Sequence, residues 1–459
     1  MNTKDMTHGS PVKLILAFAL PLFIGNIFQQ VYNMVDTMVC GYTLGDGAIA
    51  SIGAVSALWS LIINFAQGMN NGYALVSSRF FGAQDIRSLK RSIGHMIKLN
   101  VIVAAVLTAA SVTFMRPLLE IMNVRGAIYH DSYVYIIIIC AGMSSTIAYN
   151  MFSCILRAVG NSRTPLYYLM FSSVLNIIAD VVCVKFIGMG IAGAAAATVF
   201  SQTVSAALCG VHLFRKYKAI LPEAKDLRIE KAMLKEMLVN GMAMAFMLSV
   251  VDIGSVIFQR ANNALGENYI SAYTAARRII VIFMSPLSSV STAAATFVGQ
   301  NRGARRFSRM DAGIKRVMVM EVIWGVFSCL VVYIFGGAMI RFTTGTDSDF
   351  IIRNGVLSLR LHFPFYPALG ILLCMRNSMQ ALGHKIAPIM SSSIELGMKI
   401  FSAAFLIPHF GFLGTCVTEP VTWALCMVFL CVIYFSRRRQ MLFGPRGEHF
   451  FRKRRTVKA

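Results

Sequence analysis

Two aspartates stand where acids are expensive. Asp36 lies in PLFIGNIFQQVYNMVDTMVCG, residues 21–41, and Asp180 in NIIADVV; both stretches are otherwise largely apolar. A charge at the centre of a membrane helix costs roughly 2.5–3.5 kcal/mol on insertion scales. A chain that keeps one there is either hiding it or using it. Gln29, Asn33 and Asp36 recur at i, i+4 and i+7, a polar stripe along one helix face. Asn176 precedes Asp180 by one turn and shares its face. Thr198, closing GMGIAGAAAAT, adds a hydroxyl from the next segment. Carboxylate, amide and hydroxyl oxygens suit a hard cation such as Na⁺. Two neighbouring carboxylates shielded from water also resist double ionisation, so the pair can hold one shared proton. The plainer alternative is two buried aspartates hydrogen-bonded to their neighbours.

Holding such groups in place requires a membrane scaffold. The 459 residues are 56% hydrophobic and only 14% charged, where soluble domains carry about a quarter charged residues. Twelve runs are long enough to cross a bilayer as helices. They lie near 13–41, 51–80, 92–115, 130–156, 164–186, 190–214, 233–263, 269–299, 314–340, 353–382, 386–408 and 412–436. The expected fold is all-α and polytopic. The first run continues to Gly41 without a cleavage signature and reads as a retained helix.

There are 43 Lys+Arg against 20 Asp+Glu, a balance that could suggest nucleic acid. The basic residues, however, crowd into short segments between apolar runs, the pattern of cytoplasmic loops. Arg79, Arg87, Lys90 and Arg91 form one such group, and Arg302, Arg305, Arg306 and Arg309 another. The alternate connection TLGDGAIA, 43–50, has no Lys or Arg. Both termini are therefore expected in the cytoplasm, with the lipid bilayer and not nucleic acid as partner. The ten cysteines show no metal or redox spacing and read as small packing residues. None of the eight histidines pairs with another at metal spacing. No Walker, G-x-S-x-G or HExxH motif is present, so neither an enzyme nor an ATP-driven pump is indicated.

The chain repeats itself at an offset of about 220 residues. TLGDGAIASIGAV (43–55) resembles ALGENYISAYTAA (264–276), and RAVGNSRTP (157–165) matches QALGHKIAP (380–388). The organisation expected is an N-terminal lobe over 1–214, a basic cytoplasmic linker over 215–232, a C-terminal lobe over 233–436 and a basic tail over 437–459. Two pseudo-symmetric six-helix lobes rocking around a central cleft are a common transporter plan. The repeat did not copy the acids. The counterpart of Asp36 falls near Ile257, and that of Asp180 near Phe401–Ala403. A structural requirement should fall on both lobes alike; a functional one need not. At 1.5 Å per residue, Asp36, Asp180 and Thr198 all lie roughly 10 Å below the outer surface.

At these residues the chain resembles the multidrug and toxic compound extrusion (MATE) family, nearest its DinF-like bacterial branch. The resemblance spans about 12–436 and is carried by the opening PLFIGNIFQQVYNMVDTMVCGYTLGDGAIASIGAV with FGAQD, GNSRTP, VGQNRGA and TEPVTWA. It implies a multi-pass protein of the bacterial plasma membrane. Such a protein exports amphipathic, often cationic compounds in exchange for H⁺ or Na⁺ by alternating access. It also implies a monomer with no cofactor beyond the coupling ion. Related members build an amino-terminal cation site from an acid on helix 1, Asn and Asp on helix 5 and Thr on helix 6; Asp36, Asn176, Asp180 and Thr198 match that pattern. Pro21 resembles the family's helix-1 proline, where a kink can form.

Some members place a further acid on helix 7, and here only Asp252 could serve. Arg277 and Arg278 reach similar depth, so an Asp252–Arg ion pair that spares both charges their desolvation is the favoured reading. Glu419, at the repeat position of Thr198, is a possible substrate or proton contact, and Arg376 is similarly open. Glu395 and Lys399 are spaced for a pair within one helix. The 28 methionines suit a surface that accepts varied ligands, though packing explains them equally. The alternatives are a lipid-linked oligosaccharide flippase or an exporter of one specific metabolite on the same fold.

Overall fold

The computed structural model describes residues 4–122, 124, 126–345 and 348–456, and among these it contains helices and turns and no strand. Eleven helices are long and apolar enough to cross a membrane, and one pair bent by 46° supplies a twelfth span. In chain order they are α1 Pro11–Leu44, α2 Gly47–Gly82, α3 Ile86–Glu120 and α4, the bent pair Ile128–Ala141 and Met143–Ala158. Next come α5 Arg163–Phe186, α6 Gly190–Lys216, α7 Lys231–Asn263 and α8 Glu267–Gly303. The last four are α9 Phe307–Thr344, α10 Asp349–Ala381, α11 Ile386–Phe410 and α12 Phe412–Arg438. The chain is a multi-pass membrane protein. In hydrocarbon a helix satisfies its backbone groups within its own segment.

The repeat is written into the backbone. Gly160 and Gly383, aligned in GNSRTP and GHKIAP, both take left-handed φ, 86° and 85°. That conformation carries no steric penalty for glycine. Gln84 and Arg305, ahead of α3 and α9, share φ of 56° and 55°. A widened π-helical stretch follows Asp180 over Val181–Phe186, and its counterpart occupies Ser402–Leu406.

The helices form two compact units. The first comprises residues 1–5 and 21–245. One of its cores gathers Tyr73, Leu89, Ile93, Met96, Ile155, Tyr217 and Met237. Another gathers Cys40, Val55, Met115, Ile136, Ile139 and Ile147. Here α2 and the start of α7 approach so closely that a Cβ on Gly72 would lie 2.4 Å from the Asn240 carbonyl oxygen. Small residues at helix crossings permit this intimacy where lipid supplies no hydrophobic drive. The segment between α6 and α7 is clipped down by ion pairs. Lys90 meets Glu223 at 2.6 Å, Arg91 meets Glu230 at 3.1 Å and Arg79 meets Glu236 at 2.6 Å. Lys98 donates to the Leu227 carbonyl, and the Glu230 amide donates to His95.

The second unit comprises residues 6–20 and 246–459. The Met6 amide donates to Gln300 at 2.9 Å, Asn301 donates to the Met6 carbonyl, and Arg306 donates to the Thr7 carbonyl. Residues 6–20, at the start of α1, thus group with this unit. Its apolar core around Phe258, Tyr273, Ile407, Phe412 and Cys416 lies beside a network of buried charges. The ten cysteines are all free thiols.

Candidate functional site

The first unit encloses a compact set of oxygens that have no hydrogen-bond partner among the described residues. Asn176 and Asp180 on α5 are wholly buried, and Asp36 on α1 is 7% exposed. The Asp36 and Asp180 carboxyl groups lie against each other. From α1, the Tyr32 hydroxyl lies beside Thr198 of α6 and faces both acids. Cys40, also on α1, and Tyr135 of α4 close the shell. Asp36 Oδ1, both Asp180 carboxyl oxygens, the Asn176 amide oxygen and nitrogen, and Thr198 Oγ1 are buried without a hydrogen-bond partner. Native interiors satisfy most buried side-chain polar atoms, and each orphan costs about 1–3 kcal/mol. Such a group of orphans, rich in acceptor oxygens, has the chemistry that suits a small cation. The π-helical turns after Asp180 occur in both halves, so the repeat supplies the irregular backbone and only the first half hangs an acid on it. Such turns often mark functional positions.

The other residues singled out from sequence fall elsewhere. Gln29 is exposed and adds nothing to the enclosed group. The Asn33 side chain lies outside the described residues. Asp252 is half-buried on α7. The Arg277 guanidinium donates to Glu419 at 2.6 Å. Estimated depth brought Asp252 and Arg277 level but could not tell which face of α8 carries the arginine. That face meets α12.

Glu419 therefore belongs to a buried network in the second unit. Glu395 pairs with Arg376 at 2.9 Å and with Lys399 at 3.3 Å, and all three are nearly excluded from solvent. Lys399 also donates to Ser255 at 2.9 Å, and Arg376 to Ser391 at 3.1 Å. Sequence reasoning passed over Tyr32, Tyr135, His362 and Glu321. Tyr32 precedes Asp36 by one turn, a signal that could have found it. Glu321 on α9 is 1% exposed and accepts from Ser291 at 3.1 Å; its signal was a lone acid in an apolar run.

Known proteins share this plan. A family profile described as MatE matches residues 21–182 and 234–405, one stretch in each half of the repeat. The probable multidrug resistance protein YpnP of Bacillus subtilis (strain 168) is 27% identical over 83% of this chain and 85% of its own length. The multidrug export protein MepA of Staphylococcus haemolyticus (strain JCSC1435) is 21% identical over 95% of both chains. A crystal structure of MATE in the bent conformation superposes with a TM-score of 0.88. It is 20% identical, and the match covers 95% of this chain and 97% of that one.

Proposed function

This chain belongs to the MatE family, and from that premise we propose that it is a secondary transporter exporting amphipathic organic cations in exchange for H⁺ or Na⁺. The observation that carries the coupling is the contact between Asp36 and Asp180 amid unpartnered oxygens. Two carboxylates in contact and out of water cannot both remain ionised without a positive charge between them. A proton on one, or a Na⁺ ligated by both with Asn176 and Thr198, removes the repulsion. Taking up that ion from outside and releasing it inside drives export by alternating access. Relatives named for multidrug resistance and multidrug export support the substrate class. Both termini face the cytoplasm in this reading, in keeping with the basic loops. A lipid-linked oligosaccharide flippase would need several unpaired cations for a pyrophosphate headgroup, yet of Arg277, Arg278, Arg376 and Lys399 all but Arg278, exposed on α8, meet a carboxylate among the described residues.

The test is uptake of one fluorescent organic cation into proteoliposomes, with pH and Na⁺ gradients imposed separately. Accumulation driven by either gradient identifies the ion, and its loss in Asp36→Asn assigns the site. Uptake indifferent to both gradients overturns the proposal.

A further inference from the structure

We propose that His362 on α10 and Glu419 on α12 form a second proton-binding site, within the second unit and built of different chemistry from the aspartate pair. His362 is completely buried, and its Nδ1 lies 2.7 Å from the Ser358 carbonyl oxygen. A carbonyl only accepts, so Nδ1 carries the hydrogen. The remaining ring nitrogen, Nε2, is buried without a hydrogen-bond partner and stands 3.6 Å from Glu419 Oε2. A neutral ring in this tautomer aims a lone pair at a carboxylate, an arrangement of two acceptors with no donor between them. One proton turns that repulsion into attraction.

The surroundings decide where the proton sits and why it can leave. Arg277 of α8 holds the same Glu419 oxygen at 2.6 Å and so keeps the carboxylate ionised, directing the proton to Nε2. Tyr273 of α8, Tyr366 of α10, Lys399 and Glu395 of α11, and Cys416 of α12 stand around Glu419, with Asp252 of α7 next to the Val251 carbonyl that Lys399 approaches. The Trp423 ring packs edge-on against the imidazole at 5.8 Å. Arg277, beside Glu419 at 2.6 Å, weakens the hold on a proton at His362, while the facing carboxylate strengthens it. These opposed influences make the proton exchangeable. The Arg277 side chain is 34% exposed and Glu419 6%.

The test needs no transport and stands apart from the function proposed above. The full chain, labelled with ¹⁵N-histidine, is placed in lipid nanodiscs and its imidazole signals are followed by NMR from pH 9 to pH 5. His362 is identified by the signal missing in His362→Gln. The expected result is conversion of His362 from the singly protonated Nδ1–H form to the doubly protonated ring within that range. In Glu419→Gln the midpoint should fall by at least one pH unit. A native His362 that keeps one protonation state throughout overturns the proposal, whether or not the variant folds. So does a folded Glu419→Gln protein that titrates as the native chain does.

Discussion

Asp36 and Asp180, from helices α1 and α5, bring their carboxyl groups side by side where no described group gives Asp180 a well-formed hydrogen bond. Stability alone does not account for such a contact, because removing one charge removes the repulsion. Asp180→Asn should therefore fold at least as well as the native chain. Its apparent melting temperature at pH 8 without Na⁺ should be about 2–4 °C higher, the shift that roughly 1 kcal/mol produces in a domain of this size. Gradient-driven uptake should fall at least tenfold. A variant that melts lower would make the pair a structural device, measurable by thermal shift in detergent.

Tyr32 offers a finer probe. Its hydroxyl lies beside Thr198 and faces both acids, so Tyr32→Phe deletes one polar neighbour of the site and keeps the ring in place. Expression and melting should stay close to native. Uptake should lose several-fold of its initial rate, with the pH dependence displaced. An unchanged pH profile would remove Tyr32 from the coupling group.

How much of this could be read in advance follows from what a sequence encodes. The two halves were legible because turns need particular residues: Gly160 and Gly383 align, and both adopt the left-handed backbone. The four site residues Asp36, Asn176, Asp180 and Thr198 were legible because polar groups inside apolar runs are costly and few. Tyr32 was not, since an aromatic ring in a membrane helix draws no notice until its hydroxyl is located. That Glu419 is a partner of Arg277 was not legible either, for a different reason. Helical rise gives depth, but the rotation that turns Arg277 toward Glu419 is set by packing between helices distant in sequence.

The Arg376–Glu395–Lys399 triad should show unequal costs. Glu395 is the shared anion, at 2.9 Å and 3.3 Å from the two cations. Glu395→Leu strands two buried cations, whereas Lys399→Met leaves the Arg376–Glu395 pair intact. Breaking a buried pair by removing one partner costs about 3–5 kcal/mol. Glu395→Leu should accordingly melt well below native and Lys399→Met only modestly so. Equal losses in thermal shift would mean that the lysine, not the arginine, is the partner that matters.

The linker supplies a test outside the membrane. Glu223 bridges Lys90 and Lys225, and hydrogen bonds from these two lysines, Lys225 foremost, pull its carboxyl down to about 2 from the ordinary 4.5. A carboxylate held below its unfolded value stabilises the fold fully above that value, and the contribution fades as pH falls from about 4.5 toward 2. At pH 7.5 the clip is fully engaged. Glu223→Gln removes the charge pairing without changing pH, while its amide oxygen can still accept from the Asp226 amide in the capping box. Trypsin should then cut at Lys225 or Arg228 several-fold faster at pH 7.5, while the membrane-embedded helices stay intact. Cleavage at the native rate would show that Arg91 and Glu230, 3.1 Å apart, hold the segment without help.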